Sequence, residues 1–165
     1  MNRRVAIAFT GPSNSGKTTL VEKVAKILIE TQKVAIIKND PKDKAQFDTE
    51  GKDSYKFTQT GAEVVITSPT RTTYFSQREK SLDDIISMVS DFDIMLVEGL
   101  KTLPLPRIAI FRNTIEESYF ECSEAIAIDE SVDIGNYSIP SDIEILDLNN
   151  ITQIIEWIDN NAKAV

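Results

Sequence analysis

Residues 11 to 18 read Gly11-Pro12-Ser13-Asn14-Ser15-Gly16-Lys17-Thr18, two glycines with four residues between them followed by a lysine and a hydroxyl. The spacing G-x-x-x-x-G-K-[ST] is that of a phosphate-cradling loop, or P-loop. The glycines let the backbone curl so that successive N–H groups point inward at phosphate oxygens. Lys17 adds a point charge for the outer phosphates. Thr18 offers a hydroxyl to Mg²⁺. A helix that starts here presents free N–H groups and the positive end of its dipole, with Thr19 in its first turn. The alternative is a glycine turn that binds nothing.

Chance produces the pattern in roughly one chain in 200 of this length, so the flanking residues decide. Val5-Ala6-Ile7-Ala8-Phe9 precedes the loop and is wholly apolar, as a strand buried on both faces must be. Leu20, Val21, Val24, Ala25 and Leu28 follow at helical spacing, with Glu22 and Lys26 as an i,i+4 pair on the wet side. Strand, loop and helix fall in the required order.

Composition removes several chemistries. The 165 residues suit one domain, residues 1–165, with a full core. Cys122 is the single cysteine and there is no histidine. That excludes an internal disulfide, a multi-cysteine zinc site, a histidine base and a Ser-His-Asp triad. A metal must then be held by oxygen, which favours Mg²⁺. A net charge of −8 argues against nucleic acid as a partner. No apolar run is long enough to cross a bilayer, and Met1-Asn2-Arg3-Arg4 leads directly into the first strand, so a cytoplasmic location without membrane attachment is expected.

Further elements must position these groups. Val34-Ala35-Ile36-Ile37 reads as a second strand, followed by a mobile loop over residues 41–51. A short helix is expected over 53–60, with Asp53 as N-cap and Gly61 just past its end. Residues 63–67 read as a strand and 72–75 as an additional one. Ser81 caps a helix with Leu82, Ile85, Ile86 and Val89 as its buried stripe. Residues 93–98, 108–111, 125–128 and 143–146 read as strands, separated by irregular connections, the longest over 129–142. A last helix starts near Asn150, with Gln153 placed for a capping box and Ile151, Ile154, Ile155 and Ile158 facing the core. Strands alternating with helices imply an α/β fold with a mainly parallel sheet flanked by helices.

Ligands of such sheets sit beyond the carboxyl ends of the strands. Glu98 closes an apolar strand there and can hold Mg²⁺ next to Thr18, or be a solvated strand-end acid. Asp93 opens the same strand at the opposite edge and is structural. Asp40 is a second magnesium or water-orienting acid, or an ordinary turn aspartate before Pro41. Lys38, Lys101 and Arg112 can neutralise phosphate charge, or be surface bases. No Asn-Lys-x-Asp motif for guanine is present. No residue is an obvious strong activator of water, so Lys17, Asp40 and Glu98 amount at most to a slow hydrolase of the β–γ phosphoanhydride.

Taken in order, residues 11–20, Phe47-Asp48, Gly51-Lys52-Asp53-Ser54, Gly61-Ala62, Val97-Glu98-Gly99-Leu100-Lys101, Ile108-Ala109-Ile110-Phe111-Arg112 and Leu146-Asp147-Leu148-Asn149-Asn150 form a set. The set resembles the bacterial molybdopterin-guanine dinucleotide biosynthesis protein B family. The resemblance implies a three-layer P-loop NTPase fold and a protein that binds GTP with Mg²⁺ and hydrolyses it weakly. It implies work beside the enzyme that joins GMP to molybdopterin, with molybdopterin as a second ligand, as a homodimer. It also places Lys52 and Asp53 in a loop near the nucleotide or the pterin. Members of that family usually carry histidine after the lysine that ends the second strand. Here the run is Lys38-Asn39-Asp40-Pro41, which leaves Asp40 as the nearest acidic substitute. Two other readings stand beside it: a dethiobiotin-synthetase-like ATP-dependent ligase or kinase, and a metallochaperone GTPase of the nickel-insertion kind. One cysteine and no histidine weigh against the last.

Overall fold

The computed structural model describes residues 4–165, so the expectation resting on Met1, Asn2 and Arg3 lies outside the described residues. In chain order the elements are β1 (Val5–Thr10), α1 (Lys17–Leu28), β2 (Val34–Lys38), α2 (Asp53–Thr58), β3 (Val64–Thr67), β4 (Thr72–Phe75), α3 (Leu82–Val89), β5 (Ile94–Glu98), β6 (Arg107–Phe111), β7 (Ala125–Ile128), β8 (Glu144–Asp147), α4 (Ile151–Asn161) and β9 (Lys163–Ala164). Two 3-10 turns, Glu117–Cys122 and Ile134–Asn136, interrupt the later connections. Two compact units result, one from residues 4–39 and 89–165, the other from Asp40–Met88.

The larger unit holds the sheet, in the order β2-β5-β1-β6-β7-β8 with all these neighbours parallel. Strand β1 is central because every residue from Ala6 to Phe9 is apolar, and each is fully buried. Alternation along it aims Ile7 and Phe9 at one face. There α1 supplies Leu20, Val21, Val24 and Leu28, and α4 supplies Ile154, Trp157 and Ile158. Each such side chain contributes about 1.5–3 kcal/mol when fully buried. Over β6 and β7 a second cluster joins Ala109, Phe111, Ile126 and Ile128 to Ile115, Tyr119, Val132 and Ile143. Phe111 and Tyr119 meet edge to face, with centroids 5.6 Å apart.

Strand β6 starts late, opposite Ala8. That leaves an open edge at Val5 and Ala6, which β9 takes in antiparallel pairing. The sequence did not announce β9 or the 3-10 turns. The last helix departs from expectation in two details. Asn150 caps it by accepting the Gln153 N–H at 3.1 Å, but the Gln153 side chain accepts from the Asp147 N–H at 2.8 Å instead of returning to Asn150. Trp157 is buried where Ile151 and Ile155 are only half-buried, and its indole N–H donates to Glu144 at 2.9 Å.

The smaller unit contains α2, the antiparallel hairpin β3–β4 and most of α3. The additional strand at 72–75 pairs with β3 and makes a separate two-stranded sheet. Helix α2 begins at Asp53, so Lys52 and not Asp53 stands at the N-cap. Its C-cap is Gln59, with Gly61 left-handed at φ 78° two residues beyond. Ser81 caps α3 as expected. Its hydroxyl accepts the Asp84 N–H at 3.2 Å, while Asp84 accepts the Ser81 N–H at 3.0 Å, a reciprocal box. Of the α3 stripe, Ile86 alone is buried; Leu82 and Ile85 are half-buried and Val89 is exposed. No helix among the described residues is long and apolar enough to cross a membrane.

Candidate functional site

The loop between β1 and α1 owes its shape to three residues with left-handed backbone: Gly11 at φ 138°, Asn14 at 63° and Gly16 at 98°. The glycines were legible as turn formers, whereas Asn14 carries the third such bend without glycine's freedom. A β-carbon at Gly11 would overlap the Ile110 carbonyl oxygen, because β6 packs against the start of the loop. One at Gly16 would meet the Arg112 Nε at 3.4 Å. Gly16 is the N-cap of α1 and brings no side chain to it, and no acid occupies the first turn. The N–H groups there are left for an anion.

Lys17 curls back over the loop, its Nζ donating to the carbonyls of Gly11 at 3.0 Å and Pro12 at 2.6 Å. Burial lowers its pKa; Glu98 opposes that shift, and the positive charges of Lys38 and Lys101 add to it. Ser15 is 3% exposed, and its hydroxyl has no hydrogen-bond partner. Ser13, Asn14, Thr18 and Thr19 are exposed at the mouth.

Glu98 ends β5 next to β1, paired in register with Phe9 and Lys38. Its buried carboxylate accepts the Thr18 hydroxyl at 3.3 Å and the Lys38 ammonium at 2.7 Å. Residues eighty positions apart are thus brought to one point by the strand-end rule. Their donor set of hydroxyl and carboxylate oxygens suits a hard cation such as Mg²⁺. No group of three or more acidic, histidine or cysteine side chains among the described residues could hold a metal. A cation at Thr18 and Glu98 therefore needs further oxygens from water or from phosphates.

The remaining predicted cations of the same unit already have partners. Arg112 pairs with Asp129 at 3.3 Å beside Gly16. The Lys101 ammonium lies 3.5 Å from the centre of the Tyr119 ring. Asp93 accepts the Lys33 backbone N–H at 2.8 Å at the opposite end of β5, in keeping with a structural role. In the smaller unit, Asp40 accepts the backbone N–H groups of Lys44 and Ala45, both at 2.7 Å. There Lys52 caps α2, and Asp53 pairs with Lys56 at 3.4 Å. Two residues escaped the sequence reading: Asp129, which holds Arg112, and Arg107, a fully buried cation whose one signal is a charge opening an apolar strand.

A family model described as MobB, molybdopterin guanine dinucleotide synthesis protein B, matches residues 6–129. The chain belongs to this family. It is 32% identical over 167 residues to the molybdopterin-guanine dinucleotide biosynthesis adapter protein of Haemophilus influenzae, covering 97% of this chain and 91% of that one. Among solved structures it resembles MobB of Bacillus subtilis, with a TM-score of 0.76 at 21% identity over 96% of this chain and 98% of that one. A crystal structure of molybdopterin-guanine biosynthesis protein B gives a TM-score of 0.72 at 24% identity, covering 94% and 98%. These likenesses show the fold, that of a P-loop NTPase. The MobB family model spans the phosphate loop, Glu98 and Arg112 together.

Proposed function

We propose that this chain is a GTP-binding adapter, at most a slow GTPase, that assists the attachment of GMP to molybdopterin. The observation that carries the reading is the cradle of residues 11–18 with Thr18 and Glu98 meeting at its rim. In this reading the loop N–H groups and Lys17 hold the triphosphate, and Lys38 and Arg112 add positive charge. Thr18 and Glu98 hold Mg²⁺, which when bound neutralises charge on the β- and γ-phosphates. Phosphoryl transfer depends on positioning and charge neutralisation. No residue of the chain is an obvious strong activator of water, which fits an adapter more closely than a fast catalyst. Asp40 remains the second magnesium or water-orienting acid of this reading, and Lys52 and Asp53 serve the nucleotide or the pterin. The working form is a cytoplasmic homodimer beside the nucleotide-attaching enzyme.

The test is equilibrium binding of GTP and ATP with Mg²⁺ by calorimetry, in the native chain and in Lys17→Ala. GTP should bind at least tenfold more tightly than ATP. Lys17→Ala should lose about 100-fold in affinity, about 2.8 kcal/mol, with its fold intact by circular dichroism. Equal affinity for the two nucleotides would end the guanine assignment, and unchanged affinity in Lys17→Ala would end the phosphate-site assignment. Reconstitution with the nucleotide-attaching enzyme, with and without GTP, separates adapter from stand-alone enzyme.

A further inference from the structure

Glu98 serves a cation only if the chain after it holds the carboxylate against Thr18, and that chain is bent against its preference. Gly99 lies at φ 92° and Leu100 at φ 49°, two consecutive left-handed residues, the second bearing a β-carbon. A leucine is rarely found there without something to hold it. The same segment contributes three carbonyl oxygens to one side chain. Arg107 donates from Nη1 to Gly99 at 3.0 Å, and from Nη2 to Leu100 at 3.1 Å and Leu103 at 3.0 Å. Arg107 opens β6 opposite Ala8, one register step below the Phe9–Glu98 pair, with β1 between the two strands.

Arg107 is 1% exposed, and its Nε has no partner. It makes no ion pair among the described residues. A buried cation whose guanidinium meets no carboxylate directly is costly to keep unless its hydrogen bonds do something no apolar residue could do. Its backbone N–H is itself held by Glu124 at 2.7 Å, so the side chain starts from a fixed point. Burial pulls the guanidinium pKa below its usual value, with Cys122 and Glu124 opposing. We propose that Arg107 is a positioning residue for the cation-binding carboxylate: by gripping the carbonyls of Gly99, Leu100 and Leu103 it fixes the bend that sets Glu98 against Thr18. This rests on the reading of residues 11–18, Thr18 and Glu98 as a nucleotide–Mg²⁺ site.

The test uses the full chain and a fluorescent N-methylanthraniloyl-GTP probe, titrated in EDTA and in saturating Mg²⁺. Arg107→Lys keeps the charge but cannot bridge three carbonyls in a plane. It should lose at least fivefold of the Mg²⁺-dependent tightening, while Kd in EDTA moves less than twofold. In parallel, hydrogen exchange at residues 99–103 should accelerate at least tenfold, with α1 and β1 unchanged. Equal loss in EDTA and in Mg²⁺, or an unchanged Mg²⁺ response, overturns the proposal and leaves Arg107 a core residue. If the native chain binds no GTP at all, the functional reading fails, while unchanged exchange at 99–103 is what overturns the positioning role. Should Arg107→Lys fail to fold, Leu100→Gly/Arg107→Lys replaces it, since glycine removes the left-handed penalty at that position. The same split between EDTA and Mg²⁺ is expected, and failure of both variants to fold also overturns the proposal.

Discussion

Strands β5 and β3 are similar short apolar runs with different fates. Ile94, Met95, Leu96 and Val97 in β5 are buried almost completely, whereas Val65 and Ile66 in β3 are 56% and 36% exposed. The difference lies in neighbours. Strand β5 has a parallel partner on each edge and α1 in the cluster that covers Ile94 and Leu96, while β3 has β4 on one edge alone. The same contrast runs through the two units. The larger one places its phosphate loop and Glu98 on strands fixed from both sides. The smaller one is organised by local bonds: Asp40 to the amides after it, Asp48 to Ser54 at 2.9 Å, and Ser81 with Asp84. A two-stranded hairpin gains little stability alone. Chemistry that needs fixed distances belongs on the first kind of support.

The contrast breaks most severely at Gly11. Gly11→Ala forces a β-carbon onto the Ile110 carbonyl at a positive φ, and it should cost about 3 kcal/mol or more in urea denaturation. A loss under about 1 kcal/mol would mean that β6 is not a rigid wall behind the loop. A smaller effect sharpens the comparison from the other side. Ser81→Ala removes the cap of α3 and should cost about 1 kcal/mol. Amide exchange should quicken within α3 while β5 stays protected. Equal acceleration in both would show that the units open together.

The smallest effect concerns pH. The Ser131 hydroxyl, then its N–H and Arg112, hold the Asp129 pKa below the usual carboxylate range. A depressed folded pKa stabilises above the unfolded value of about 3.9, and that stability is lost as pH falls through the folded pKa. Asp129→Asn should therefore narrow the gap in urea midpoint between pH 7 and acid. An unaltered acid limb would remove Asp129 from that balance.

How much was legible follows from what each feature depends on. The phosphate loop is contiguous, so its residue types state its chemistry. Glu98 was found through strand polarity, since an acid closing an apolar run must lie at a known end of the sheet. Strands β1 and β5 were plain because burial on both faces leaves no polar residue in them before the last position, Thr10 and Glu98. Trp157 was missed because its burial depends on Glu144, which takes its indole N–H from another element. The Gln153 bond to Asp147 is equally non-local. Arg107 was missed for a deeper reason: its partners are backbone carbonyls, which carry no residue identity. Val89 fell at the right helical spacing yet stays exposed, since spacing names a face without supplying a neighbour.

The late start of β6 reaches further than one strand. Shifted forward against β1, it overhangs at the top, where Ile110 stands behind Gly11, and leaves a notch at the bottom, where Lys163 and Ala164 sit. A slip of β6 by one residue would turn every side chain of the strand to the wrong face. Stops at both ends bar that slip. The central sheet is keyed like a bolt in its lock, and the edge that carries the chemistry inherits its alignment from the tail of the chain.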